Sequence, residues 1–290
     1  MATLQTQIEL TPAQTAPAAE FSKWVQYARA FAGLFLRDLH VLRREWRPFL
    51  IRVGMNPLLF PFVFIYIMPH MSGGAALNPT AAMAGANFST VLLSGLMAVA
   101  IMFSGIAGVA LPLAQEFGIT REIDDRVMCP LPVWAVAIEK IVFSSLQSVI
   151  AAGIVFPLAY YIPSTPVQAH VGNWFFLAAV LILASLTAGA LGLTIGTAVK
   201  PQQIGLIFGV VVMPITFLGC VYYPWAALKP LPWLQMGVLI NPIVYMSEGL
   251  RAGVTNSPHM PEWLILTMLC VFLALLTRVG VRGFYKRVIG

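Results

Sequence analysis

Apolar residues run along this chain in long unbroken windows, and the charges gather between them. From 53 to 115 there is no Asp, Glu, Lys or Arg. Such a window exceeds the roughly 20 residues that one helix needs to cross a bilayer, so the chain must turn back once inside it. The stretch "HMSGGAALNPT", 70–80, supplies the Gly, Asn and Pro for that hinge. The pattern predicts a first span at about 49–68, with Arg52 snorkelling at its start, and a second at about 89–113. A second charge-free window, 141–199, is interrupted by "IPSTPVQAHVGN" and predicts spans three and four. Lys200, Pro201, Gln202 and Gln203 then lead into span five, at about 204–221, and span six lies between Glu262 and Arg278.

Ahead of span one the period changes. Lys23, Gln26, Arg29, Gly33, Arg37, His40, Arg44 and Arg47 form one row, and Phe21, Trp24, Ala28, Phe31, Phe35, Leu39, Leu42 and Trp46 form another. Both rows step by three or four residues and so occupy opposite faces of a helix. A helix over 20–47 that is basic on one face and aromatic on the other suits the lipid interface. The alternative is an amphipathic helix on a protein surface. Residues 1–19 carry no Lys or Arg, lack the basic start of a secretory signal, and read as a disordered tail.

Composition fixes the class. The chain of 290 residues is 59% hydrophobic and only 10% charged, where soluble domains carry about a quarter charged residues. The fold class expected is therefore an all-α integral membrane protein with six transmembrane helices over 48–290, preceded by the interfacial helix. With the amino terminus inside, every Lys and Arg except Lys229 and Arg251 falls on the inner side. By the positive-inside rule both termini and the loop 114–133 are then cytoplasmic.

The outer segment 222–261 is moderately apolar yet holds Pro224, Pro230, Pro232, Pro242, Pro258 and Pro261. Backbone that lacks so many donors is not exposed to hydrocarbon. Short re-entrant helices between spans five and six are expected, with Trp225 and Trp233 at headgroup level. A seventh span through "LQMGVLINPIVYM" is the alternative, although Pro242 interrupts it. Pro57, Pro61, Pro112, Pro157 and Pro214 are expected to kink their helices, and Gly192/Gly196 and Gly205/Gly209 are small-residue pairs that permit close helix contact.

Site chemistry is sparse. No charge falls at the centre of a predicted span, which argues against an ion relay. The four histidines are scattered without paired ligands at helical spacing, so no metal site is expected. There is no Gly-Lys dipeptide and hence no phosphate-binding P-loop. Any ATP must be bound by another polypeptide. Cys129 lies on the cytoplasmic side, away from Cys220 and Cys270, and nothing demands a disulfide.

Three stretches in order, "LFLRDLHVLRREW", "EFGITREIDDRVMCPLPVWAVAIEK" and "YYPWAALKPLPWLQMGVLINPIVYMSEGLRA", resemble the ABC-2 type permease subunits of bacterial ABC exporters. The resemblance runs from about Lys23 to the end. It implies a six-span half-transporter in the bacterial inner membrane, paired with a second permease copy, as a homodimer or a heterodimer, and with two cytosolic ABC ATPase subunits that carry the ATP and magnesium. No cofactor is expected on this chain, and nucleic acid is not among its partners. The resemblance places ATPase coupling on Glu116, Gly118, Thr120, Arg121, Glu122 and Asp125, and a transport path on Met97, Met102 and Phe103 of span two and Phe208, Met213 and Phe217 of span five. A solvated loop, and ordinary packing or lipid-facing residues, are the plainer readings of the two sets. The rival functions are a secondary transporter or membrane scaffold working without ATP, and a membrane-embedded enzyme; the expected chain is not itself an enzyme.

Overall fold

The computed structural model describes residues 23–51, 88–120, 131–161 and 169–289. Among these residues there is no β-strand. Helix α1 (Lys23–Arg44) continues after a turn at Glu45 into a helical stretch over 46–51. Helix α2 (Phe88–Gln115) runs into a π-helical turn, Glu116–Thr120. Helices α3 (Val133–Tyr161) and α4 (Trp174–Ala198) follow, then two short pieces, α5 (Ile204–Ile207) and α6 (Met213–Phe217), separated by a π-helical stretch over Phe208–Val212. Past α6 come a 3-10 turn (Trp225–Leu228), α7 (Pro232–Gly237), α8 (Pro242–Val254) and the long α9 (Glu262–Ile289).

Four stretches among the described residues are long and apolar enough to cross a membrane: Thr90–Gly118, Val133–Leu158, Trp174–Ala198 and Glu262–Val288. The expected first span lies, from 52 onward, outside the described residues, as do the 70–80 hinge and the 1–19 tail. In the α2 stretch 78% of the membrane-length window is buried, against 17% in the α9 stretch, so α2 is the axis of the bundle and α9 its flank.

Lipid is as apolar as leucine, so helices associate in it through close contact rather than through the hydrophobic effect. The α2–α4 contact shows the consequence. A Cβ at Gly192 of α4 would lie 2.9 Å from the Ile106 Cα and its carbonyl oxygen, and one at Gly105 of α2 would lie 2.5 Å from the Ala188 Cβ. At the same point the Ser144 hydroxyl donates to the Gly105 carbonyl at 2.7 Å and ties in α3.

Local sequence explains where the helices begin and end. Asn173 caps α4, its side-chain oxygen accepting from the Phe175 and Phe176 amides at 3.0 and 3.2 Å. Pro201 disfavours helical backbone at Lys200, and α4 stops at Ala198. The expected fifth span is an unevenly wound helix that ends before 221. Pro214 has no N–H to donate and its ring crowds the carbonyl four residues back, so the backbone widens into the π-helical stretch before it and ends at Phe217. The resulting apolar helix, Pro201–Phe217, is shorter than the other four stretches. The last helix behaves in the opposite way. It continues beyond Arg278 to Ile289, because long basic side chains extend their charge out of an apolar surface without ending a helix. No single helix runs through 234–246, since the chain turns extended at Asn241 before Pro242 starts α8.

In α1 the stripe facing the bundle is Ala30, Phe31, Leu34 and Leu42, with Phe35 set edge-on to Phe143 of α3 at 5.8 Å. Trp24, Leu36 and Trp46 remain exposed beside it. Half of the apolar face is therefore left for another apolar environment.

Gly192→Val tests the α2–α4 contact. The clash is with backbone, which cannot rotate away, so a loss of about 1–3 kcal/mol or more is expected. It should appear as a lower melting temperature of the detergent-solubilised protein, whereas Gly153→Val, which meets nothing within 4 Å, should leave it in place.

Candidate functional site

The carboxyl ends of α2, α4 and α9 and the amino end of α3 meet at one end of the bundle, where Lys140, Lys200, Arg278, Arg282, Lys286 and Arg287 also lie. The π-helical turn Glu116–Thr120 is gripped there from several sides. Glu116, 5% exposed, points inward and accepts from the Lys140 ammonium at 2.8 Å. Phe117 packs on Phe284 of α9, with ring centres 6.1 Å apart, and the Arg287 guanidinium lies 4.9 Å from the centre of the Phe117 ring. The same guanidinium donates toward the last carbonyls of α4, at 3.0 Å from Gly196, 3.2 Å from Thr197 and 2.7 Å from Val199. It thus closes groups that a helix end leaves without partners and places a cation at its negative pole. Gly118 sits against Pro201; a Cβ there would lie 3.0 Å from the proline Cβ.

The turn is therefore joined to α3 by an ion pair, to α9 by tilted ring contact and to the 3-10 turn Pro201–Gln203 ahead of α5 by direct contact. Of the residues expected in coupling, Glu116 and Gly118 take part in this grip and Thr120 closes the turn. Arg121, Glu122 and Asp125 lie outside the described residues.

The residues expected along a transport path divide. Phe103 meets Phe208 with ring centres 6.4 Å apart, and the Met102 sulfur accepts from the Thr216 hydroxyl at 3.8 Å, so α2 is laid against the α5–α6 segment. Met97 and Met102 are buried within the chain itself. Met213 is half-buried and Phe217 is 49% exposed. Beside Phe217, Leu206 and Val210 also face outward, and Gly205 and Gly209 have nothing within 4 Å of a Cβ position.

At the opposite end stands an arrangement that sequence reasoning missed. Arg251 was expected as an outlying external charge, yet it is fully buried together with Glu248, one turn earlier on α8. The two side chains form an ion pair. Glu248 also accepts from the Trp225 amide at 2.8 Å and the Met260 amide at 3.0 Å, while Arg251 donates to the Cys220 carbonyl at 3.0 Å. Cys220 has φ 52, a left-handed conformation that costs a non-glycine residue about 1–2 kcal/mol, and the guanidinium holds its carbonyl in place. Trp225 is half-buried, and its indole N–H donates to the Gln235 carbonyl at 3.1 Å. Trp233 is 72% exposed. The signal available in the sequence was the Glu-x-x-Arg spacing in "SEGLR", which places opposite charges on one helix face.

A family model described as "ABC-2 type transporter" matches residues 30–255. The chain belongs to that family. Its similarity to the inner membrane transport permease YadH of Escherichia coli K12 is 24% identity over 250 residues, covering 85% of this chain and 91% of that protein. The YadH proteins of Escherichia coli O157:H7 and Shigella flexneri match to the same extent. This chain is thus a transporter's membrane subunit, and membership implies an ABC ATPase as partner.

In this permease the family match takes in the whole gripped turn and all of α8, and stops just after Val254. Arg251→Leu is expected to destabilise the permease by about 3–5 kcal/mol, because it strands a buried carboxylate. Adding Glu248→Gln keeps an acceptor for Trp225 and removes the stranded charge. The double variant should regain part of the lost melting temperature; simple addition of the two losses would show that the pair is not coupled.

Proposed function

We propose that this permease is the membrane half of an ATP-driven exporter, working as a dimer with two cytosolic ABC ATPases that carry ATP and magnesium. The observation that supports this most is the gripped turn Glu116–Thr120: a push on it is delivered at once to α3, α9 and the turn that leads into α5. An ATPase needs such a stiff handle, and 114–133 is the segment that the distribution of Lys and Arg assigns to the cytoplasm. In this reading six spans cross a bacterial inner membrane with both termini inside, 20–47 lies in the interface, and the short helices of 222–261 are re-entrant. YadH, an inner membrane transport permease, agrees with that location.

Because Glu116 is committed to Lys140, the charges offered to the ATPase are Arg121, Glu122 and Asp125, while Glu116, Gly118 and Thr120 transmit the movement. The outward face bearing Gly205, Leu206, Gly209 and Val210 is where a second copy would close the path. Phe103, Phe208, Met213 and Phe217 then lie beside that seam, and their apolar, partly flexible side chains suit a hydrophobic or amphipathic substrate such as a drug, a lipid or a lipid-linked glycan. Met97 and Met102 support the path from behind.

The test is affinity purification from native membranes in mild detergent. A soluble ABC ATPase should be recovered in stoichiometric amount, and Glu122→Lys should weaken its recovery without lowering the yield of permease. A clean permease that transports without ATP would overturn the proposal and favour a secondary transporter.

A further inference from the structure

A cavity of about 460 Å³ lies between the second half of α1 with the 46–51 helix and the facing parts of α2 and α3. Arg37, Asp38 and Glu45 line it from the amphipathic side, and Glu116, Lys140 and Gln147 from the bundle. Its volume falls in the range of small-molecule sites, about 300–1,000 Å³.

Three properties of the walls converge on one ligand chemistry. First, three carboxylates face two cations, so the lining carries a formal excess of negative charge. Second, Gln147 is 7% exposed and its side-chain oxygen has no hydrogen-bond partner. A buried acceptor left unmet costs about 1–3 kcal/mol, which a donor bound in the cavity would recover. Third, Phe49, Leu111 and Phe143 give the same cavity an apolar wall. An anion is repelled by the first property and offers nothing to the second. Water could satisfy Gln147 but gains nothing from the rings. No group of three His, Cys, Asp or Glu side chains able to hold a metal occurs among the described residues.

We infer that this cavity binds the protonated primary amine of an amphiphile, with the ammonium between Glu45, Asp38 and the Gln147 carboxamide oxygen and the apolar body against Phe49, Leu111 and Phe143. The amine has two possible sources: an aminophospholipid headgroup, since α1 leaves apolar residues exposed beside the cavity, or a free cationic amphiphile. A quaternary ammonium has no N–H to offer and is the discriminating control. The inference does not rest on ATPase coupling, because binding is read on the permease alone.

Native mass spectrometry of the full chain, delipidated in detergent, tests it with phosphatidylethanolamine, phosphatidylcholine of the same acyl chains, and dodecylamine as probes. Phosphatidylethanolamine should be retained about tenfold better than phosphatidylcholine, the scale of one charge-assisted hydrogen bond. Glu45→Gln, at an exposed position where folding is not at risk, and Gln147→Leu, which keeps shape but removes the acceptor, should each lower that retention about tenfold. Displacement of the lipid by dodecylamine, with the same sensitivity to both variants, assigns the site to free amphiphilic amines as well; failure of dodecylamine to displace it assigns the site to the headgroup. Equal retention of the two lipids, or retention unchanged in both variants, overturns the inference.

Discussion

Charge inside an apolar helical bundle needs a partner, and among the described residues this permease closes two buried ion pairs. Removing an ion from water costs several kcal/mol even after relaxation, and only a partner in good geometry with further hydrogen bonds offsets the cost. Glu248 and Arg251 meet that condition at one end. Their four contacts draw together Cys220 and Trp225 from before α8 and Met260 from after it, and give the proline-rich segment a fixed shape that its own irregular backbone could not keep. Glu116 and Lys140 meet it at the other end, where they tie the close of α2 to the start of α3. Between the two pairs the helices are held by small residues and by contact.

That division places stiffness and compliance where a transporter needs them. The α2–α4 seam is backbone against backbone at Gly105 and Gly192 and has little room to shear. The segment Pro201–Phe217, by contrast, is wound as helix, π stretch and helix around Pro214, with its outer glycines facing open space. A π-helical interruption already carries an uneven hydrogen-bond ladder, so rewinding it costs less than bending a regular helix. On the proposed reading, force enters at Glu116–Thr120, travels through the stiff α2–α3–α4 unit, and is expressed along the pliable segment at the dimer seam.

Much of this was legible in the sequence, for identifiable reasons. Window length alone located the helices around 89–113, 141–199 and beyond Glu262, because the thickness of a bilayer fixes how many apolar residues must follow one another. The prolines of 222–261 announced short helices rather than a span. What hydropathy could not see was direction. It scores Arg251 and Glu116 as charges that belong in water, whereas one has its partner three residues away on the same helix face and the other has it 24 residues away on a neighbouring helix. It scored 204–221 as one apolar run, and although Pro214 marked an irregularity there, the π-helical winding before it and the end at Phe217 were not legible. Nor could it see that the Trp225 amide is held by a carboxylate on another element.

The central claim is that the permease receives work from a separate ATPase through the segment that follows α2. Sided labelling of the native Cys129, in a permease whose Cys220 and Cys270 are replaced by serine, tests it most directly. A membrane-impermeant maleimide should reach Cys129 in inside-out vesicles and not in right-side-out ones, and the bound ATPase should slow the reaction. Labelling from the outer face, or a rate indifferent to the ATPase, would contradict the account.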